Sequence, residues 1–442
     1  MRFEKRFYRY RGITILQKRD PRLTRIRPGK VALVLAGGAV SGGSYKVGGL
    51  RALDEVFACR HNPGGEKAPF SLVDCDTFIG LSAGSVLAFV LSAGINPDEM
   101  IRIILGSSTT FDEFRAMEFM APNWREPLER VFPFLDRQQE LFTNFLSGAT
   151  DPDQIAPYTL RKTFHKMVRT LPSLLPTGIF STHRLGHYLR RNMKRVGIPN
   201  DFVEAYSRSR KELYLTAVDL NRGQMLVFGH DEPYRKVPIS EAIRASCALP
   251  GWYRPVRILN PLYGEPGEPA SLDLVDGGLV RTANVRVAVE KGADLVICYN
   301  PFNRIRYERL GRSLVNHGPL ALAGQLFRIL LGARLDIAKE LLFRDETIDA
   351  DVVFIEPAED DFAFFLMNPI DYRTRERAAI HGYHSVRAAI QANHERLADV
   401  FGTHNIELHP PDVDRYAPPR GNSELHYSDM SESRGRRSSV VS

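Results

Sequence analysis

At 442 residues the chain exceeds the usual size of a single hydrophobic core, so one large domain with insertions and two domains are both admissible. Its 43% apolar and 25% charged residues are those of an ordinary globular protein, which excludes a predominantly disordered or membrane-embedded chain. The net charge of +7 is modest for this size, and no nucleic-acid partner is expected of the chain as a whole.

That charge is unevenly placed. Arg2, Lys5, Arg6, Arg9, Arg11, Lys18, Arg19, Arg22, Arg25, Arg27 and Lys30 crowd the first thirty positions. Residues 1–30 therefore read as a basic N-terminal arm able to touch anionic lipid or nucleic acid. The interleaved Phe7, Tyr8, Tyr10, Ile13, Ile15 and Leu16 equally allow a surface strand. The opening residues Met1–Arg6 lack the apolar core of a secretory signal. The best apolar run, 320–335, is interrupted by Gln325, Arg328 and Arg334, which rules it out as a membrane span. Cys59, Cys75, Cys247 and Cys298 are widely spaced and read as reduced thiols. A cytoplasmic protein, at most peripheral to the membrane, is expected.

The first predicted strand is Val31–Leu35, a continuous apolar run of the kind buried on both faces. A glycine-rich loop follows over 37–43, then a helix over Ser44–Phe57 with Val47, Leu50, Leu53 and Val56 at helical spacing. The next unit is a strand at Thr77–Ile79, Ser82, and a helix from Ser85 to Ala93. Between 109 and 202 short amphipathic pieces rich in aromatic residues suggest an insertion packed over one edge of a sheet. Further strands are predicted at Leu213–Val218, Met225–Phe228, Leu295–Tyr299 and Val352–Ile355. Helices are predicted at Ile239–Cys247, Val285–Lys291 and Thr374–Phe401. A second insertion covers 303–343, and the Ser- and Arg-rich stretch 410–442 reads as a disordered tail. The alternation predicts an α/β fold, a three-layer α/β/α sandwich around a mostly parallel sheet, spanning 31–409.

Three segments carry chemistry. Ser82 lies in Gly80-Leu81-Ser82-Ala83-Gly84 at a strand-to-helix junction, a tight turn that lifts a serine hydroxyl out of the sheet. The loop at Gly37, Gly38, Ala39, Gly42 and Gly43 presents free N–H groups at a helix N-terminus. It can be read as a phosphate loop, as an oxyanion hole or as a tight turn. Gly43 stands where a phosphate loop needs lysine, and Lys46 lies too far along to replace it. The third segment, Asp276-Gly277-Gly278, can set a carboxylate beside a serine from another strand, or form a plain turn. No cofactor-binding or metal-ligand pattern is evident.

In this order the serine block 76–85, the Arg244–Pro250 block with its A-S-x-A-x-P pattern and the aspartate block 275–279 resemble the patatin-like phospholipase family over Val31–Pro301. The resemblance implies a patatin-like fold and a serine lipid acyl hydrolase of the phospholipase A or lysophospholipase type. It implies a Ser/Asp dyad without histidine, Ser82 as nucleophile and Asp276 as base. It also implies Gly37, Gly38 and Ala39 as oxyanion-hole donors, and a lipid or membrane-surface substrate. The loop departs from the family's usual G-G-G-x-[KR]-G: Ala39 replaces the third glycine, no basic residue lies inside it, and it is one residue longer. Two other readings stand beside this one. One is a catalytically impaired lipid- or partner-binding scaffold. The other is an α/β-hydrolase with a Ser-Asp-His triad drawn from His317, His381, His384, His394 or His404.

Overall fold

The computed structural model describes residues 5–19, 29–62, 66–124, 126, 129, 175–302, 313, 319–359, 361–365, 367 and 371–409. Ten strands form the main sheet: β1 (Arg6–Tyr10), β2 (Ile13–Gln17), β3 (Val31–Leu35), β4 (Thr77–Gly80), β5 (Glu212–Asp219), β6 (Gln224–Phe228), β7 (Val256–Leu259), β8 (Ser271–Asp276), β9 (Leu295–Tyr299) and β10 (Asp351–Ile355). Their order is β1-β2-β10-β9-β3-β4-β5-β8-β7, with β6 also paired to β5. The five middle strands β10, β9, β3, β4 and β5 are parallel. The flanking strands join antiparallel, β1 and β2 on one side and β6, β7 and β8 on the other.

The sheet has a hydrophobic layer on each face, because successive residues of a strand point to opposite sides. Val31, Leu33 and Leu35 enter one core with helices α1 (Ala39–Asp54), α2 (Ala83–Ser92), α3 (Ile239–Ser246) and α6 (Arg375–Ala392). Ala32 and Val34 enter the other with α4 (Val285–Glu290) and α5 (Pro319–Arg344). This is the predicted three-layer sandwich. Strand β3 is buried at every position, as its uninterrupted apolar run requires.

Two secondary-structure expectations are corrected, and two other segments gain detail. Over Arg6–Gln17 the basic stretch is the strand structure that its interleaved apolar residues allowed, a hairpin that extends the sheet, with β2 fully buried. Its aliphatic residues outweigh its charges once Ile13 and Ile15 can pack in the core. The insertion 303–343 carries α5, which supplies Leu335 and Leu342 to the second core, so it belongs to the body of the fold. The single helix predicted over 374–401 is two, α6 and α7 (His394–Thr403). The chain breaks at buried Asn393, whose amide donates to Ala389 O and Tyr10 O. Helix α1 begins at Ala39 instead of Ser44 and swallows most of the glycine loop. Its first turn is closed by the Gly42 N–H donating to Gly38 O at 2.9 Å, and further along a Cβ on Gly48 would lie 1.8 Å from Ala379 O, so glycine there admits the close approach of α6. The tail from 410 and most of the stretch 125–174 lie outside the described residues. No helix among the described residues is long and apolar enough to cross a membrane.

Candidate active site

The site lies outside the carboxyl ends of β3 and β4, where open α/β sheets bind ligands. Ser82 lies two residues past the end of β4 and caps α2 with φ 53° and ψ −130°. A positive φ in a non-glycine residue costs about 1–3 kcal/mol and persists only when its surroundings enforce it. Here the enforcement is visible. The Ser82 N–H donates to Ser246 Oγ at 2.8 Å, Leu81 N–H to Leu35 O at 3.0 Å, and Ser85 Oγ to Ser82 O at 2.6 Å. A Cβ on Gly84 would lie 2.1 Å from Leu35 O, so only glycine lets the turn press against β3.

Ser246, the last residue of α3, is fully buried, and its hydroxyl acts on the Ser82 backbone. The Ser246→Ala variant should lose about 1 kcal/mol of stability, as measured by thermal melts.

Sheet register brings the acid to the serine. Gly80 on β4 pairs with Leu215 of β5, and Asp276 on β8 pairs with Ala217 of the same strand. Asp276 therefore sits two positions further along β5 than Gly80, level with Ser82, which is two residues beyond Gly80. The Asp276 side chain is buried, its Oδ1 accepts the Gly278 N–H at 2.8 Å, and the nearby Ser82 hydroxyl favours the ionised form of its carboxylate. Burial pushes the Asp276 carboxyl up to about 6, and the Ser82 hydroxyl and Gly278 N–H pull it back.

The third segment closes the site. A Cβ on Gly37 would lie 3.2 Å from Ser82 Cβ and 3.7 Å from Ser82 Oγ, so any side chain there would crowd the hydroxyl. Gly38 has φ 156°, and Ala39 opens α1 at φ 52°. Among the described residues no acceptor lies against the N–H of Gly37 or Gly38. Two free donors and a helix N-terminus thus sit beside a serine hydroxyl.

The sequence model of the patatin-like phospholipases matches residues 33–289. The chain belongs to the patatin-like phospholipase family. Among solved structures it is similar to VipD from Legionella pneumophila, at 14% identity, covering 88% of this chain and 71% of that one with a TM-score of 0.35. It is also similar to full-length ExoU of the type III secretion system of Pseudomonas aeruginosa, solved with SpcU. That match has 16% identity, covers 91% of this chain and 65% of that one, and has a TM-score of 0.27. Human group IVD cytosolic phospholipase A2 matches at 11% identity, over 87% of this chain and 62% of that one, with a TM-score of 0.39.

Against the patatin-like pattern, the basic residue absent from the glycine loop has a counterpart nearby. Lys46 of α1 is fully buried, and its Nζ donates to Gly37 O at 3.1 Å and to Ala36 O. Burial lowers the Lys46 ammonium to about 7, while Cys247, Cys298 and Asp276 nearby raise it. Sequence reasoning dismissed Lys46 on spacing, since a linear count along a loop does not reveal a side chain reaching back from the first turns of a helix.

The histidines are engaged elsewhere. His381 Nε2 lies 2.5 Å from Asp361 Oδ1, and buried His404 Nε2 lies 2.8 Å from Asp351 Oδ2. Among the described residues no histidine hydrogen-bonds to Ser82 or Asp276, and His317 lies outside them. One group of potential metal ligands occurs among the described residues: Cys59, His61 and Glu407, on the separate sheet of 57–61, 67–69 and 406–408. The shared oxygen Glu407 Oε2 is already met by Lys67 Nζ at 2.8 Å, by His61 Nε2 at 3.2 Å and by Cys59 Sγ at 3.4 Å.

Proposed function

We propose that this protein is a serine lipid acyl hydrolase that cleaves carboxylic esters of phospholipids or lysophospholipids through an acyl-enzyme on Ser82. Ser82 Oγ attacks the ester carbonyl carbon and its proton passes to the Asp276 carboxylate. The carbonyl oxygen becomes an oxyanion that accepts the N–H groups of Gly37, Gly38 and Ala39. Collapse of the tetrahedral adduct expels the alcohol, which takes the proton from Asp276. Water then attacks the acyl-enzyme, again giving its proton to Asp276, and the fatty acid leaves as Ser82 regains its hydrogen. A carboxylate is a weak base toward a serine, so the scheme leans on the oxyanion donors, each worth roughly 3–4 kcal/mol.

The observation that carries this reading is the sheet register that sets the buried Asp276 carboxylate level with Ser82, beside two N–H donors that have no acceptor among the described residues. Membership of the patatin-like family supports the lipid substrate. So does the exposed apolar row Leu326, Leu330, Ile337 and Leu341 on α5. The same helix meets the chain just past Asp276, where Arg334 donates to Val280 O. A lipid surface is the partner this face fits.

The test is fatty-acid release from phosphatidylcholine and lysophosphatidylcholine vesicles by the full chain. Release that Ser82→Ala abolishes supports the proposal, whereas vesicle binding without release would favour the scaffold reading. Because Asp276 must be ionised to accept a proton, kcat/KM should rise with pH through a limb near 6 and fall away below it, as read from an initial-rate pH profile.

A further inference from the structure

Lys46 is a buried amine that the hydrolytic scheme leaves without work. Its side chain has no solvent exposure, and among the described residues no carboxylate lies within ion-pair distance. An ammonium held this way is costly to bury. Among the described residues its hydrogen-bond partners are two consecutive carbonyls, Ala36 O and Gly37 O, at the point where β3 becomes the glycine loop.

A trans peptide points its C=O and the following N–H in opposite directions. Drawing Ala36 O inward therefore turns the Gly37 N–H outward, and drawing Gly37 O inward turns the Gly38 N–H outward. These are the two donors that lack a protein acceptor among the described residues, and they belong to the residue whose Cβ would meet Ser82 and to its neighbour. Glycines cannot hold that orientation by themselves, because their backbone is the freest of all residues. A single side chain hydrogen-bonded to both carbonyls can.

We propose that Lys46 is a positioning residue that pins the peptide planes 36–37 and 37–38, so that the Gly37 and Gly38 N–H groups are fixed as the oxyanion cradle of Ser82. It thereby takes over, from a helix beneath the loop, the place of the basic residue that this family usually carries within it. The inference rests on the hydrolase reading above. Its charge has a second effect. The titratable groups facing it are Asp276 of β8, Cys247 at the end of α3 and Cys298 of β9. Burial pushes the Cys247 thiol up to about 12 and raises that of Cys298, so both are neutral at physiological pH. Asp276 is thus the one group whose ionised form the ammonium favours.

The experiment compares the full chain with Lys46→Met, which keeps the length of the stem and removes the donors. The expected result is a fall in kcat of roughly 100-fold on a soluble ester, of the order seen on losing an oxyanion donor, with KM changed less than threefold. Labelling of Ser82 by an alkyl fluorophosphonate should slow in parallel, and the acid limb of the rate profile should move to higher pH. The thermal midpoint should hold or rise, since an unpaired buried charge has gone. A folded Lys46→Met chain with kcat within threefold of the parent would overturn the inference, as would a change confined to KM. Failure of both Lys46→Met and Lys46→Leu to fold would assign the lysine a structural role and overturn it equally. An unlabelled parent chain would instead defeat the hydrolase reading itself, which keeps the two failures distinct.

Discussion

Replacing Asp276 by asparagine is expected to lower kcat for ester hydrolysis by roughly 10³–10⁴-fold while making the fold more stable at neutral pH. The loss follows from chemistry: an amide of the same shape cannot take the Ser82 proton or return it to the leaving alcohol, and general-base catalysis of this kind contributes on the order of 10²–10⁴-fold. The gain follows from linkage. Asp276 is buried and its carboxyl lies near 6, above the unfolded value of 3.8, so the folded state binds its proton more tightly than the unfolded state does. Stability then falls as pH rises through the interval from 3.8 to about 6, and the full cost, up to about 3 kcal/mol, applies above it. The asparagine variant escapes that cost. Thermal melts of parent and variant should diverge at pH 8, with the variant higher, and converge toward pH 4. A variant less stable than the parent at both pH values would contradict this account of the acid.

Removing the Ser82 hydroxyl is expected to have a still larger kinetic effect. When the nucleophile of a hydrolytic unit is lost, the remaining groups cannot form the covalent intermediate, and losses on the order of 10⁶ in kcat are typical. Ser82→Ala and Ser82→Gly should therefore both be inactive, but they should differ in stability. Alanine keeps the positive φ of 53°, whereas glycine adopts it freely, so Ser82→Gly should be the more stable of the two by about 1 kcal/mol. The contrast, read by denaturant unfolding, would show that the strain at the turn serves the hydroxyl it carries. Equal stabilities would mean that the turn is unstrained.

The parts of the fold that the sequence revealed are those written in local pattern. Strands β3 and β9 match their predicted bounds, Val31–Leu35 and Leu295–Tyr299, because a strand buried on both faces must be apolar throughout and a helix of that length cannot be. The serine turn was legible because glycines at 80 and 84 flank it. The start of α1 was not. Gly42 and Gly43 are poor helix formers by propensity, and only their packing in three dimensions makes helix the answer there. The N-terminal strands were legible as an alternative in their interleaved aromatic and aliphatic residues, while their pairing with β10 is a tertiary fact.

The candidate site divides in the same way. Ser82, Asp276 and the loop residues Gly37, Gly38 and Ala39 were named from motifs and family likeness. Their convergence depends on the register of β4, β5 and β8, which joins residues far apart in the chain and leaves no local trace. Ser246 and Lys46 act on the backbone through side chains, so the sequence around them carries no signal of what they touch.

The most direct measurement of the central claim is intact-mass analysis of the full chain after exposure to an alkyl fluorophosphonate at pH 8, followed by peptide mapping. The account predicts one alkylphosphonyl adduct per chain, carried on Ser82, formed quickly in the parent and many-fold more slowly in Asp276→Asn. A chain that stays unmodified, or an adduct that settles on a residue other than Ser82, would contradict it.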